Sequence, residues 1–126
     1  MTWTYRIGTG DLFHDGARIG RGYSGHPPYV NDARPEAWSR KDEGPIPPGA
    51  WTFVGAPYNS GQLGPFVLAL EARPGTNTYG RCAFRVHGDK VGSVGEMLAS
   101  HGCIILPRSV REVIWSSNDP DLLVVP

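Results

Sequence analysis

Phe66-Val67-Leu68-Ala69-Leu70-Glu71-Ala72 is a nearly continuous apolar run of strand length, stopped by Arg73-Pro74-Gly75. A second run, Cys82-Ala83-Phe84-Arg85-Val86-His87, alternates apolar and polar residues and ends on a histidine. An apolar segment closed by proline and glycine reads as a buried strand. In the second run a period of two puts Cys82, Phe84 and Val86 on one face and Arg85 and His87 on the other. The two segments are expected to pair in a sheet. On this reading Cys82 is a small core residue and takes no part in a disulfide.

The flanking sequence extends the β pattern. Residues 2–7 alternate like a strand, and Leu12-Phe13-His14 and Ala17-Arg18-Ile19 flank Asp15-Gly16, a hairpin signal. Gly22-Tyr23-Ser24-Gly25 and residues 26–41 hold too many turn formers for a helix, so an extended loop anchored by Trp38 is expected. Gly44-Pro45-Ile46-Pro47-Pro48-Gly49 is a stiff turn, a rigid wall leading into a strand at 50–54. Ser93 with Glu96 matches a capping box for one helical turn. Pro107, then Ser109 with Glu112, marks a better helix start. There Val110, Val113 and Ile114 form the apolar stripe, with Arg108, Arg111 and Trp115 opposite. Residues 121–125 resemble a final strand. The fold class is mainly β with one or two short helices, in a single domain over residues 1–126.

Composition narrows the function. A chain of 126 residues with 40% hydrophobic content can bury one real core. Twelve basic and twelve acidic residues cancel, so no overall field draws it to nucleic acid or an anionic membrane. No apolar stretch reaches membrane-spanning length, and Met1-Thr2-Trp3-Thr4-Tyr5-Arg6 lacks the basic start and apolar run of a signal peptide. Neither nucleic-acid binding nor membrane insertion is expected.

The chemistry-bearing residues lie close together. His87-Gly88-Asp89 is followed, after a short interval, by Ser100-His101-Gly102-Cys103. In thiol catalysis the thiolate attacks and a nearby imidazole takes its proton. A glycine before the cysteine lets substrate approach, with backbone amides facing a developing oxyanion. His87, His101 and Cys103 are also three possible zinc ligands, but structural zinc takes four protein ligands and no fourth is evident. A buried cysteine with two hydrogen-bonded histidines is the remaining structural alternative.

This His-Gly-Asp, then Ser-His-Gly-Cys, arrangement resembles the signature of the L,D-transpeptidases. Gly22-Tyr23-Ser24-Gly25, the residues 44–49 and Cys103-Ile104-Ile105-Leu106 with Arg108 are similar to the branch of that family used as type VI secretion antibacterial effectors. The resemblance spans roughly residues 20–115. It implies a mixed, sandwich-like sheet with a catalytic cleft and no cofactor or metal. The substrates it implies are peptidoglycan tetrapeptide stems, cut at the bond between the third residue, commonly meso-diaminopimelate, and D-alanine. Water on the acyl-enzyme gives a carboxypeptidase, a D-amino acid gives exchange, and a stem amine gives a cross-link.

By the same resemblance Cys103 is the nucleophile, with a low apparent pKa expected, and His87 is the general base, oriented by the Gly88 carbonyl. His101 positions substrate or polarises the oxyanion, Ser100 and Gly102 shape the turn, and Asp89 holds a loop or a histidine. Only twelve residues, 88–99, separate His87 from Ser100, fewer than in the housekeeping enzymes. Ile105 stands where those enzymes carry a basic or amide residue. Arg108 or Arg111 is therefore expected to bind the terminal carboxylate, with Tyr23 and the 45–48 turn as a wall. The expected partners are stem peptides, a cognate immunity protein and a secretion-machine component. The site of synthesis is the cytoplasm and the site of action a target cell's periplasm. The alternatives are a housekeeping cross-linking enzyme and a non-catalytic wall-binding module.

Overall fold

The computed structural model describes residues 2–90 and 97–126. Its strands are β1 (Trp3–Arg6), β2 (Asp11–His14), β3 (Ala17–Arg21), β4 (Tyr23–Ser24), β5 (Gly49–Ser60), β6 (Gly64–Ala72), β7 (Arg85–His87), β8 (Ile104–Ile105) and β9 (Asp121–Val125). The helices are α1 (Pro35–Trp38) and α2 (Arg108–Ser116). All the strands join one sheet in the order β3-β2-β1-β9-β5-β6-β7-β8-β4. β1 with β9 and β7 with β8 are parallel pairs; the other neighbours are antiparallel, so the sheet is mixed. No helix among the described residues is long and apolar enough to cross a membrane.

Period-two burial builds the centre of this sheet. Trp3, Tyr5 and Ile7 are buried, as are Leu122 and Val124 on the parallel partner, while Leu123 between them is exposed. Trp51 on β5 completes this core, meeting Phe84 edge-on with ring centroids 4.9 Å apart and donating its indole N–H to the Pro47 carbonyl. Asp15 and Gly16 both take positive φ, as a two-residue hairpin turn between β2 and β3 requires. The pairing expected from the first two segments holds: Leu68 lies opposite Val86 and Ala69 opposite Arg85.

Several expectations change. Ala83 has φ +66°, which ends the extended backbone, so β7 starts only at Arg85 and Cys82 is exposed rather than in the core. Pro35 starts one helical turn, α1, inside the segment expected to be loop throughout. In α2 the N-cap residue is Pro107 and no side chain caps the end. The buried face is Val110, Arg111 and Ile114, whereas Val113 is exposed. β5 runs well past residue 54, with register shifts on either side of Tyr58. The capping-box pair Ser93 and Glu96 lies outside the described residues.

Candidate active site

The site sits at the edge of the sheet formed by β7, β8 and β4. β7 and β8 run parallel, with Val86 opposite Ile104 and His87 opposite Ile105. Val86 and Ile104 face the core, so alternation turns Arg85 and His87 to the other side. Cys103 is the residue immediately before β8, and its Sγ lies 3.8 Å from the Ala83 carbonyl beside the start of β7. Cys103 and His87 are thus carried by adjacent parallel strands rather than by one loop.

A web of side-chain-to-backbone bonds fixes the turn that carries Cys103. The Ser100 hydroxyl donates to the Cys103 carbonyl at 2.6 Å and accepts from the amides of Gly25 and Gly102 at 2.9 and 3.1 Å. The Ser24 hydroxyl donates to the Gly102 carbonyl and accepts from the Ile46 amide, tying this turn to the proline wall. Because the Gly102 amide is engaged by Ser100, it is not a free oxyanion donor. Gly102 has φ +127°, and a Cβ there would come within 2.5 Å of the Arg81 guanidinium.

That arginine escaped the sequence reading. Arg81 is buried and donates to the carbonyls of Trp38, Pro45 and Gly44 at 2.7, 2.9 and 2.7 Å, with its guanidinium over the Phe84 ring. Burial lowers its pKa from the usual arginine value, yet three carbonyl acceptors and an intrinsically very basic group keep it charged. It clamps α1 and the proline wall against the turn that carries Cys103. No motif around Gly80-Arg81 marks this role, since every partner is a backbone carbonyl from 36 to 43 residues away.

The histidines differ. His87 is buried, and its Nδ1 lies 2.9 Å from the Gly88 carbonyl. A carbonyl only accepts, so Nδ1 carries the proton and Nε2 presents a lone pair. Burial, aided by the Arg111 charge, keeps the His87 pKa below 6.5, while the Gly88 bond opposes this. The ring is therefore neutral at neutral pH. His101 is exposed, hydrogen-bonds the Asp42 carbonyl through Nδ1 at 3.0 Å and stacks on His26. With Nδ1 donating to that carbonyl, Nε2 can donate to an oxyanion only if it carries a proton as well.

The thiol does not carry a low pKa. Burial pushes Cys103 above the ordinary thiol value, outweighing the opposing pull of the Arg85 amide and of the Arg85 and Arg81 charges. Neither group rests as an ion at neutral pH: burial keeps the His87 ring neutral and the Cys103 thiol protonated.

The remaining predicted residues are mostly struts. The Tyr23 hydroxyl donates to Asp89 at 2.7 Å and accepts from the Ala99 amide, bracing both ends of the 88–99 segment. Arg111 is buried, giving Nε to the Leu106 carbonyl and Nη1 to those of Pro65 and Phe66. Its Nη2 lies under Gly88, where an added Cβ would approach to 2.8 Å. Arg108 pairs with Glu112 at 3.4 Å and covers the Phe66 ring. Neither α2 arginine is among the charges acting on the Cys103 thiol.

Two hollows meet at His101. One, of about 530 Å³, is lined by His87, Asp89, Lys90, Ala99 and the β5–β6 turn. The other, of about 240 Å³, holds Cys103 with Lys41, Arg81, Cys82 and Gly102. The two hollows share His101 in their linings, with Cys103 in one and His87 in the other. A third, apolar hollow of about 170 Å³ between β5, β6 and α2 lies away from both, with Asp119 as its acidic residue, already bound to His14.

Comparison with known proteins identifies the fold. The chain resembles, at 17% identity and a TM-score of 0.57, an L,D-transpeptidase from Stackebrandtia nassauensis, covering 99% of this chain and 55% of that one. An L,D-transpeptidase from Mycobacterium tuberculosis H37Rv matches at 19% identity and a TM-score of 0.55, over 99% and 57% of the two chains. L,D-transpeptidase 3 from Mycobacterium tuberculosis, in complex with a faropenem-derived adduct, matches at 17% identity and the same TM-score, over 99% and 60%. The chain thus has the L,D-transpeptidase fold and spans a little over half the length of these proteins. A search of curated protein sequences finds no match. The Tlde1 domain model matches residues 19–120, which include every site residue described above, and the chain belongs to the Tlde1 domain family.

Proposed function

We propose that this chain is a cysteine-dependent peptidoglycan-modifying enzyme that cuts the diaminopimelate–D-alanine bond of tetrapeptide stems and acts as a type VI secretion antibacterial effector. The observation that carries the reading is the parallel β7–β8 pair, with His87 on one strand, its Nδ1 held by the Gly88 carbonyl, and Cys103 leading the other. His87 Nε2 takes the thiol proton as Sγ attacks the stem carbonyl. The tetrahedral intermediate collapses, D-alanine leaves with that proton, and a thioester to Cys103 remains. Water then restores the thiol and releases a tripeptide, or a free D-amino acid replaces D-alanine. The short 88–99 interval supports hydrolysis and exchange over cross-linking, because small acceptors need less room at the acyl-enzyme. An immunity protein, a secretion-machine partner and action in a target periplasm complete the proposal.

The test is incubation with defined muropeptides, with and without a D-amino acid, followed by mass analysis. Tripeptides, and stems carrying the new D-residue, are the expected products. Cys103→Ala is expected to lower turnover by roughly three orders of magnitude or more in a folded protein. Mainly cross-linked dimers would favour a housekeeping-type enzyme, and unchanged stems would favour a binding module.

A further inference from the structure

We propose that Lys41, at the tip of a turn over residues 40–44, binds the terminal carboxylate of the substrate in the hollow that holds Cys103. This rests on the function proposed above and assigns a specificity-determining residue to it. A stem cut next to its last residue carries a carboxylate one residue beyond the attacked carbonyl, and a cation that shares a hollow with the nucleophile can pair with it. Three charged side chains line the Cys103 hollow: Lys41, Asp42 and Arg81. Arg81 is buried and gives its N–H groups to the carbonyls of Trp38, Pro45 and Gly44. The α2 arginines, Arg108 and Arg111, line a separate hollow whose walls include neither Cys103 nor His87.

The backbone under Lys41 is fixed. The Glu43 and Gly44 amides donate to the Arg40 carbonyl at 3.3 and 2.8 Å, closing a turn in which Lys41 and Asp42 are the middle residues. Asp42 has φ +62°, a left-handed value that the third position of such a turn takes and that aspartate tolerates. Two bonds tie this turn to the nucleophile's surroundings: the Asp42 carbonyl accepts from His101 Nδ1 at 3.0 Å, and the Gly44 carbonyl accepts from Arg81 Nη2 at 2.7 Å. Both donors line the Cys103 hollow themselves. Lys41 is exposed, and among the described residues its ammonium has no hydrogen-bond or ion-pair partner. With Lys41 and Arg81 positive and Asp42 negative, the lining keeps a net positive charge. A hollow of about 240 Å³ holds a residue as small as alanine, and a four-carbon stem lets the ammonium follow its carboxylate.

The test compares two tetrapeptide stems, one ending in the free D-alanine carboxylate and one in its carboxamide, with wild type, Lys41→Gln, Lys41→Arg and Lys90→Gln. Wild type should prefer the free acid in kcat/KM by roughly tenfold or more. Lys41→Gln should bring that ratio near one by slowing the free acid, and Lys41→Arg, which keeps the charge, should restore part of it. Exchange gives a second reading, because an incoming D-amino acid takes the place that D-alanine leaves. Preference for D-alanine over D-alaninamide as acceptor should therefore fall in step in Lys41→Gln. Equal loss on both stems would show that Lys41 only supports the turn and would overturn the assignment. An unchanged ratio in Lys41→Gln, or its collapse in Lys90→Gln alone, would overturn it too and move the carboxylate elsewhere. Turnover of neither stem by wild type would remove the proposed activity itself, and this assignment with it.

Discussion

The centre of the sheet and its β7–β8–β4 edge are held together by different forces. Around β1, β9 and β5, every second side chain is a large apolar group, and burial of Trp3, Tyr5, Trp51, Leu122 and Val124 carries the structure. At the other edge the strands are only two or three residues long, and the backbone is fixed instead by Ser24, Ser100, Arg81, Arg111 and Tyr23. Apolar burial is tolerant of small shifts; a hydrogen-bonded web is not. The lesson is a division of labour: one region supplies stability, while the other spends polar contacts on holding a thiol and an imidazole in position.

Paired substitutions test that division most strongly. Trp51→Ala removes a fully buried ring and should cost about 3–5 kcal/mol of stability, measured by urea unfolding, while the folded fraction retains its turnover. Arg81→Met leaves the carbonyls of Trp38, Gly44 and Pro45 without their donor, at roughly 1–3 kcal/mol for a buried group left unpaired. Its loss of turnover should exceed what its unfolding explains, because the wall and the Gly102 turn both rest on that guanidinium. If the two variants lose activity only in proportion to stability, the division fails.

What the residues disclose in advance follows the same line. The hairpin at Asp15-Gly16, β6 and β9 are legible because alternation and turn chemistry are local. The polar edge is not. Ala83 takes a left-handed backbone that no propensity favours, and this exposed Cys82 where alternation predicted burial. Arg111 looks like a surface residue on a helix wheel. It is buried because Phe66, with φ +57°, helps leave two carbonyls of β6 facing α2, and the guanidinium satisfies them. Cys103 and His87 stand out in the sequence through the Ser-His-Gly-Cys pattern and the histidine before it, but the struts behind them act across tens of residues and leave no local mark.

A smaller effect concerns pH. His87 is held below 6.5 chiefly by burial and Cys103 above the ordinary thiol value, also chiefly by burial, so the proposed reactive pair is thiol and neutral imidazole. In a kcat/KM profile the acid limb should therefore lie below pH 6.5 and the alkaline limb above pH 9, with a plateau between. Stability carries the same sign. An unfolded imidazole takes its proton near 6.5 while the folded one resists, so the His87 contribution is complete above that pH and is lost as pH falls through the folded value. Asp11, held below the usual carboxylate range first by Arg21 and then by Arg18, gives way only in stronger acid. Thermal melts at pH 7.5 and 5.5 should show a drop that His87→Gln reduces. A thiol titrating well below neutrality by alkylation rate would contradict the burial argument.

A last pair, Tyr23→Phe and Cys82→Ser, separates strut from bystander at the finest scale. Tyr23→Phe removes one hydroxyl that joins Asp89 to the Ala99 amide, and should cost about 0.5–1.5 kcal/mol with a measurable fall in turnover. Cys82 shares the Cys103 basin but is exposed and outside any strand, so exchanging sulfur for oxygen disturbs no packing. Its serine variant should stay within about 0.5 kcal/mol of wild type, as surface substitutions do, and keep its activity. Iodoacetamide labelling followed by peptide mapping gives the kinetic counterpart. Cys82 should be alkylated faster than Cys103 at pH 7, since it is exposed to the reagent whereas burial holds the Cys103 thiol protonated. Faster modification of Cys103 in resting enzyme would mean that the Arg85 and Arg81 charges outweigh burial there, and that the polar edge prepares a thiolate in advance of substrate.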